Sequence, residues 1–478
     1  MAGTKVKHRS VEERIARGKG YRKKTPVSSP AGWVPSPDRP DPVALLEEQN
    51  LTREQDLVPV RHGRMLVSPF TFYRGAAKIM AADLKDTPRA GLITQLCGDA
   101  HLSNFGVFAS PERTLLFDLN DFDETLPGPF EYDVKRMSAS FTIAARNNAF
   151  SKEETRDVTL TAVRAYRDAM AQFAKMRTLD IWYARLSEEQ LLETINLAVA
   201  SQKGKALKKA AKGMEKTARA NVAKAHTRDS LQALSKLAEL VDGKYRIVSQ
   251  PPIVIPAREL GGSFSMSADE LEQVIREQLR SYRATLQEDR RHLLERFEII
   301  DVARKVVGVG SVGTRAFIAL LQGRDQQDPL FLQVKEATRS VLEDHLPKSK
   351  FKQPGERVVQ GQRVMQAASD IFLGWTRGAQ ENRYLYWRQL RDMKGSAVVE
   401  GMKPLGMTFY ANACGWTLAR AHARSGDAVA IAAYLGKSEK FDVAVTDFSE
   451  RYADQNERDY QAFADAVRSG RLEAIEGL

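Results

Sequence analysis

The stretch GLITQLCGDAHLSNFGVFASPERTLLFDLNDFDET, residues 91–125, constrains the chain more than any other. Its apolar residues gather into short runs with the length and composition of strands, and a polar loop separates them, so it reads as apolar strand, polar loop, strand. An acid-rich turn, Asp118, Asp121, Asp123 and Glu124, follows at once. Polar side chains held between buried strands converge on one place, and function is expected to gather there.

The remainder of the 478 residues can bury a large core or two lobes sharing a cleft, since 43% are hydrophobic and 28% charged. No run approaches the ~18 apolar residues of a membrane span, and the basic N-terminus has no apolar segment after it. Cys97 and Cys414 are too few for a disulfide framework or a cysteine zinc site, so a soluble protein of a reducing cytoplasm is expected. Part of the net charge of +11 lies in residues 1–24 and in the run Lys203, Lys205, Lys208, Lys209, Lys212, Lys216, Arg219, Lys224. Without zinc-finger spacing or interleaved aromatics, this run reads as a solvated helix face, and nucleic acid is not the expected partner.

Four segments follow from the pattern. Residues 1–45, basic and then rich in Pro, Ser and Gly, read as an extended arm. Residues 46–298 hold the polar loop and a mostly helical lobe, with a small β excursion at KYRIVSQPPIVIP. Residues 299–392 open with IIDVARKVVGVGSVGTRAFIALLQGRDQQDPLFLQVKEA, three strands joined by tight turns, and include a hairpin from IFLGWTR to RYLYWRQL. Residues 393–478 are helical and are expected to pack back on the helical lobe.

Phosphoryl transfer needs a carboxylate to orient the attacking hydroxyl, an Asn and an Asp for the metal, a Lys on the phosphates and backbone amides over them. Asp99 precedes Asn104 by five residues in GDAHLSN, the spacing of a kinase catalytic loop. Asp118, at the end of the apolar strand TLLF, and Asp121 compete for the second metal position, and Asp118 is favoured. Gly308, Gly310, Ser311 and Gly313 form a glycine hairpin fit to cover phosphates, and Lys335 lies on the third strand. Glu356, opening a helical stretch after Pro354, is expected to hold Lys335, with Glu343 as alternative. His101, Arg74 and Gly75 also lie where substrate contact is conceivable, but structural roles suit them better.

CGDAHLSNFG followed by FDLNDFDE resembles the HGDxHxxN loop and following Asp of aminoglycoside phosphotransferases and related kinases, with YDVKRMSAS similar to their next helix. GWTLARAHARSG resembles the helix that precedes the loop in those enzymes, yet here it comes about 300 residues after it. Together with SPFTFYRGAA and GERVVQGQRVMQ, the pattern from about residue 60 to 460 resembles the bacterial family catalogued as domain of unknown function 2252. These likenesses imply an α+β, bilobal protein-kinase-like fold, circularly permuted, that binds ATP and Mg²⁺. Permutation at a surface break keeps the packing. They also imply a hinge at Leu390 to Asp392 whose backbone meets adenine, while Cys97 stands where the loop of those kinases has His.

The expected activity is an ATP- and Mg²⁺-dependent phosphotransferase acting on a small-molecule or protein acceptor. Nucleotide-binding pseudokinase and AMP-transferring enzyme are the alternatives on the same fold, and a basic binding scaffold is the non-enzyme alternative. A two-metal hydrolase would need further His and Asn ligands that the sequence does not group.

Overall fold

Strand alternation is obeyed most clearly in Pro329–Glu336, where Leu330, Leu332 and Val334 point to one face and Phe331, Gln333 and Lys335 to the other. In the computed structural model, which describes residues 7–201, 205–260, 268–306, 308–379, 382–390 and 392–477, this strand sits inside a six-stranded antiparallel sheet. The order across the sheet is Gly374–Arg377, Tyr384–Gln389, Pro329–Glu336, Ala316–Gln322, Glu298–Lys305, Val254–Pro256. Helix Pro354–Met365 packs against the strands at the first edge.

The sheet reaches further back than residue 299. Val254–Pro256 pairs with Glu298–Lys305, and helices Ala268–Arg283 and Glu288–Leu294 cover the Leu332 face through Leu279, Tyr282 and Leu294. Residues 254–260 and 268–298 therefore belong with the β part and not with the helical part. Their apolar residues match the sheet face, which sequence order alone does not reveal.

The polar loop is held by a second set of strands. Ile93–Leu96 pairs with Leu126–Pro129, and Phe105–Ala109 pairs with Leu115–Leu119 in a four-stranded sheet completed by Leu186–Ser187 and Gly395–Ser396. Below them lies the largest core, formed by helices Glu131–Asn147, Lys152–Phe173, Pro404–Ser425 and Lys440–Arg468. The C-terminal helices thus do pack back on the helical lobe. Tyr166 and His422 are hydrogen bonded at 2.9 Å across this seam, and His422 Nε2 lies 3.2 Å from Asp133. Among the described residues no helix is long and apolar enough to cross a membrane.

The N-terminal residues are not an extended arm. Val11–Lys24 is a helix opened by a reciprocal capping box between Ser10 and Glu13, and Gly18 lets it lie against Ala428–Leu435. Val27, Tyr21 and Trp33 join the main core behind it. The lysine run lies on Lys205–His226, with Lys208, Lys209, Lys212 and Lys216 exposed opposite buried Ala211, Val222 and Ala225. Lys203 lies outside the described residues.

Candidate functional site

The loop after Ile93–Leu96 turns sharply at Gly98, whose φ of +87° and approach to the Glu124 carbonyl leave no room for a side chain. Asp133, in the first turn of Glu131–Asn147, accepts the backbone N–H groups of Cys97 at 2.7 Å and Gly98 at 3.0 Å. Carboxylates favour a helix N-terminus, so the same acid steadies helix and loop. Cys97 donates its thiol to the carbonyl of Asp121 at 3.1 Å, which ties the loop to the acid-rich turn.

A cavity of about 380 Å³ opens where loop, turn and glycine segment meet. Its wall includes Asp99, Asn104, Asp121, Asp123, Gly308, Gly310 and Ser311, brought together from two distant parts of the chain. Asn104 donates to the carbonyl of Asp99 at 2.7 Å, which leaves its own side-chain oxygen to face the cavity. Arg136 donates from Nε to the Asp99 carboxylate at 2.8 Å, while its plane lies over the Tyr73 ring. Burial raises the Asp99 carboxyl above the ordinary range, with Arg136 opposing. His101 is neutral, since burial beside Arg136 and Arg74 holds its pKa well down, and its Nδ1 has no partner.

Lys335 is 2% exposed and lies behind the cavity wall, against its two acids. Its ammonium lies 2.5 Å from Asp123 and 3.8 Å from Asp121, and Tyr386 donates to the other Asp123 oxygen at 2.6 Å. Burial works to raise the pKa of both acids. For Asp123 the contacts of Lys335 and Tyr386 outweigh it and hold the carboxyl low, whereas Asp121 is pushed up by burial and by the Asp123 charge.

Several expectations fail here, each for a local reason. Asp118 is buried on the far side of its strand, paired with buried Arg420 and accepting the N–H of Ala367 at 2.8 Å, so it does not reach the cavity. The chain leaves the strand after Leu119, and Asp121 is the first acid to face the cleft. Glu356 does not touch Lys335. It stands beside the buried stripe of its helix, and its neighbour Arg357 turns inward to bond the carbonyls of Thr125, Asp123 and Thr338 at 2.6 to 2.8 Å. Glu343 caps Ser340 and faces Arg339 and Arg357 instead. Gly313 backs onto Arg53, outside the cavity. Leu390 and Asp392 do connect the two sheets, yet neither lines the cavity: the Leu390 N–H bonds the Phe331 carbonyl at 2.9 Å, and Asp392 pairs with Arg113.

The structure adds Arg53, which the sequence did not single out, and sets Arg74 and Glu124 on the same wall. Arg53 is buried, donates to the Val312 carbonyl, and has its pKa lowered to about 10 by burial. Arg74, also on the cavity wall, has no partner at Nε. Glu124 accepts the N–H of Val341 at 2.7 Å, and burial pushes its carboxyl up to about 7. Arg53 and Arg74 thus place positive charge on the wall of an acid-lined cleft. Among the described residues no three His, Cys, Asp or Glu side chains group as a metal site. Mg²⁺ is held by one or two carboxylates with substrate phosphates, so Asn104 and Asp121 on one wall fit its hard-oxygen preference.

Comparison with curated proteins and with solved structures finds no match. A family model described as "uncharacterized protein conserved in bacteria (DUF2252)" matches residues 53–466, a span that holds every cavity residue named above, and the chain belongs to that family.

Proposed function

We propose that the cleft is the donor site of a Mg²⁺-dependent phosphotransferase with a protein-kinase-like arrangement whose lobes follow one another in permuted order. One observation carries the reading: Lys335, on the central strand of an antiparallel sheet, meets Asp121 and Asp123 at the wall that also bears Asp99, Asn104 and the glycine segment. The seam between His422 and Asp133 supports the permuted order, because it seats a late helix beside the early loop. ATP is the proposed donor and a small molecule or protein the acceptor. The free, buried thiols of Cys97 and Cys414 suit a cytoplasmic location.

In this reading Asp99 orients the acceptor hydroxyl, and Asn104 and Asp121 hold the metal. Mg²⁺, when bound, neutralises charge on the phosphates. Lys335, the amides of Gly308 to Ser311, Arg53 and Arg74 bind the phosphate oxygens. Arg136 favours a second reading, a pseudokinase, because it already occupies the Asp99 carboxylate.

Calorimetric titration of ATP with and without Mg²⁺ tests the proposal. Wild-type binding should require the metal, and Lys335→Ala or Asp121→Asn should weaken it at least ~tenfold, the scale of one lost charged hydrogen bond. Absence of binding by the wild type would sink both readings. Binding without turnover of any acceptor, together with unchanged affinity in Asp99→Asn, would favour the pseudokinase.

A further inference from the structure

We infer that the segment Arg228–Leu237 fills the seat that a nucleotide base would take, so that the cleft selects its donor by the phosphate chain and not by the base. This rests on the phosphotransferase reading above and deepens it.

The face of the sheet that carries Lys335 continues through Gln333 and Phe331. Their partners across the next strand are Ala316, Ile318 and Leu320. The end of this face at Lys335 and Ala316 meets the glycine segment through Asp123, whose one oxygen takes both Lys335 at 2.5 Å and the Ser311 hydroxyl at 3.5 Å, and phosphates would lie there. Beyond it, the apolar part suited to a flat base is already covered. Ala233, Leu234 and Leu237 of helix Ser230–Leu237 pack on Ile318, Leu320, Phe331 and Ala303, with Ile247 and Val254 closing the cluster.

Among the described residues of the connection between the sheets, backbone polar groups are also engaged. The N–H of Met393 donates to the carbonyl of Arg228 at 2.8 Å, and the Arg228 guanidinium donates to the carbonyl of Lys394 at 2.5 Å. A base recognised by its edge needs such backbone donors and acceptors free. Here this chain's own backbone and Arg228 use them. None of Ile318, Leu320, Phe331 and Leu390 borders the cavity, whereas Arg53 and Arg74 do. What the cavity offers a ligand is therefore cations, amides and metal-binding oxygens.

The test is calorimetric titration of the full-length protein, with Mg²⁺ present, using tripolyphosphate, ATP, GTP and adenosine. Tripolyphosphate, ATP and GTP should bind within about threefold of one another, and adenosine should give no heat. An ATP affinity about a hundredfold above those of tripolyphosphate and GTP would overturn the inference while leaving the phosphotransferase reading in place. Faster hydrogen exchange across Ala233–Leu237 on adding ATP would overturn it too, since the base would then be displacing the segment. If none of the phosphates binds, the phosphotransferase reading falls and the inference with it.

Discussion

The ammonium of Lys335 and the carboxylate of Asp123 lie 2.5 Å apart although 212 positions separate them in the chain. Lys335 is almost fully buried, and a buried charge is tolerated only while it is paired. Asp121, at 3.8 Å, is too far to replace the lost contact fully. Asp123→Asn should therefore lower unfolding free energy by roughly 3 kcal/mol, and the double variant with Lys335→Met should recover part of it. Urea denaturation measures both. A loss below about 1 kcal/mol in the single variant would mean that the pair does not hold the acid-rich turn to the sheet.

Asp118 and Asp121 are separated by two residues but lie on opposite sides of one wall. Removing the charge of Asp118 strands buried Arg420, whereas Asp121 makes a long ion pair, accepts the Asp123 N–H at 3.2 Å and faces the cavity. Asp118→Asn should destabilise the protein by roughly 3 kcal/mol and leave metal-dependent ligand binding intact. Asp121→Asn should do the reverse. Thermal denaturation and calorimetry on the two variants separate the roles, and loss of binding in a folded Asp118→Asn protein would contradict the assignment.

That difference in placement marks the limit of what the sequence disclosed. The strands were legible because strand pattern and turn residues are local signals, and the three strands from Glu298 to Glu336 form as read. Side-chain partners are decided by packing between distant elements. Nothing local says that Arg357 and not Glu356 turns inward, or that Leu390 joins an apolar cluster beneath Phe331. Arg53 lies in a short turn with no periodic pattern, so no sequence signal pointed to the cleft. The helix Val11–Lys24 is different: its S-x-x-E capping box, Ser10 and Glu13, was present in the sequence and outweighs the basic composition that suggested an arm.

Glu124 gives the cleft a pH dependence with a defined sign. Burial raises its carboxyl in the folded protein to about 7, above the 4.5 of an ordinary glutamate. The folded state then holds a proton that the unfolded state has released, so the stabilisation is fully present below pH ~4.5 and is lost as pH rises through ~7. In metal-free buffer, wild-type melting temperature should fall between pH 5 and 8 relative to Glu124→Gln, whose neutral amide keeps an acceptor for Val341. Parallel melting curves for the two proteins across that range would show that Glu124 is already ionised when folded.

Gly18 is the tightest point between the N-terminal helix and the body of the protein. A Cβ there would meet the Ala430 carbonyl oxygen at 2.2 Å and the Ala433 Cβ at 2.8 Å, and neither backbone nor a methyl group can swing aside. Gly18→Leu should therefore undock Val11–Lys24, at a cost of about 1–3 kcal/mol for forced overpacking. Arg22, which donates to the Ala433 carbonyl, would lose that bond. The helix carries Arg14, Arg17, Lys19, Arg22, Lys23 and Lys24, so trypsin should cut it rapidly in the variant and slowly in the wild type. Ligand binding should be unchanged, because no residue of this helix borders the cavity. Equal protease resistance in both proteins would mean that the helix accommodates the side chain by shifting along Ala428–Leu435, and that its docking is looser than the contact distances imply.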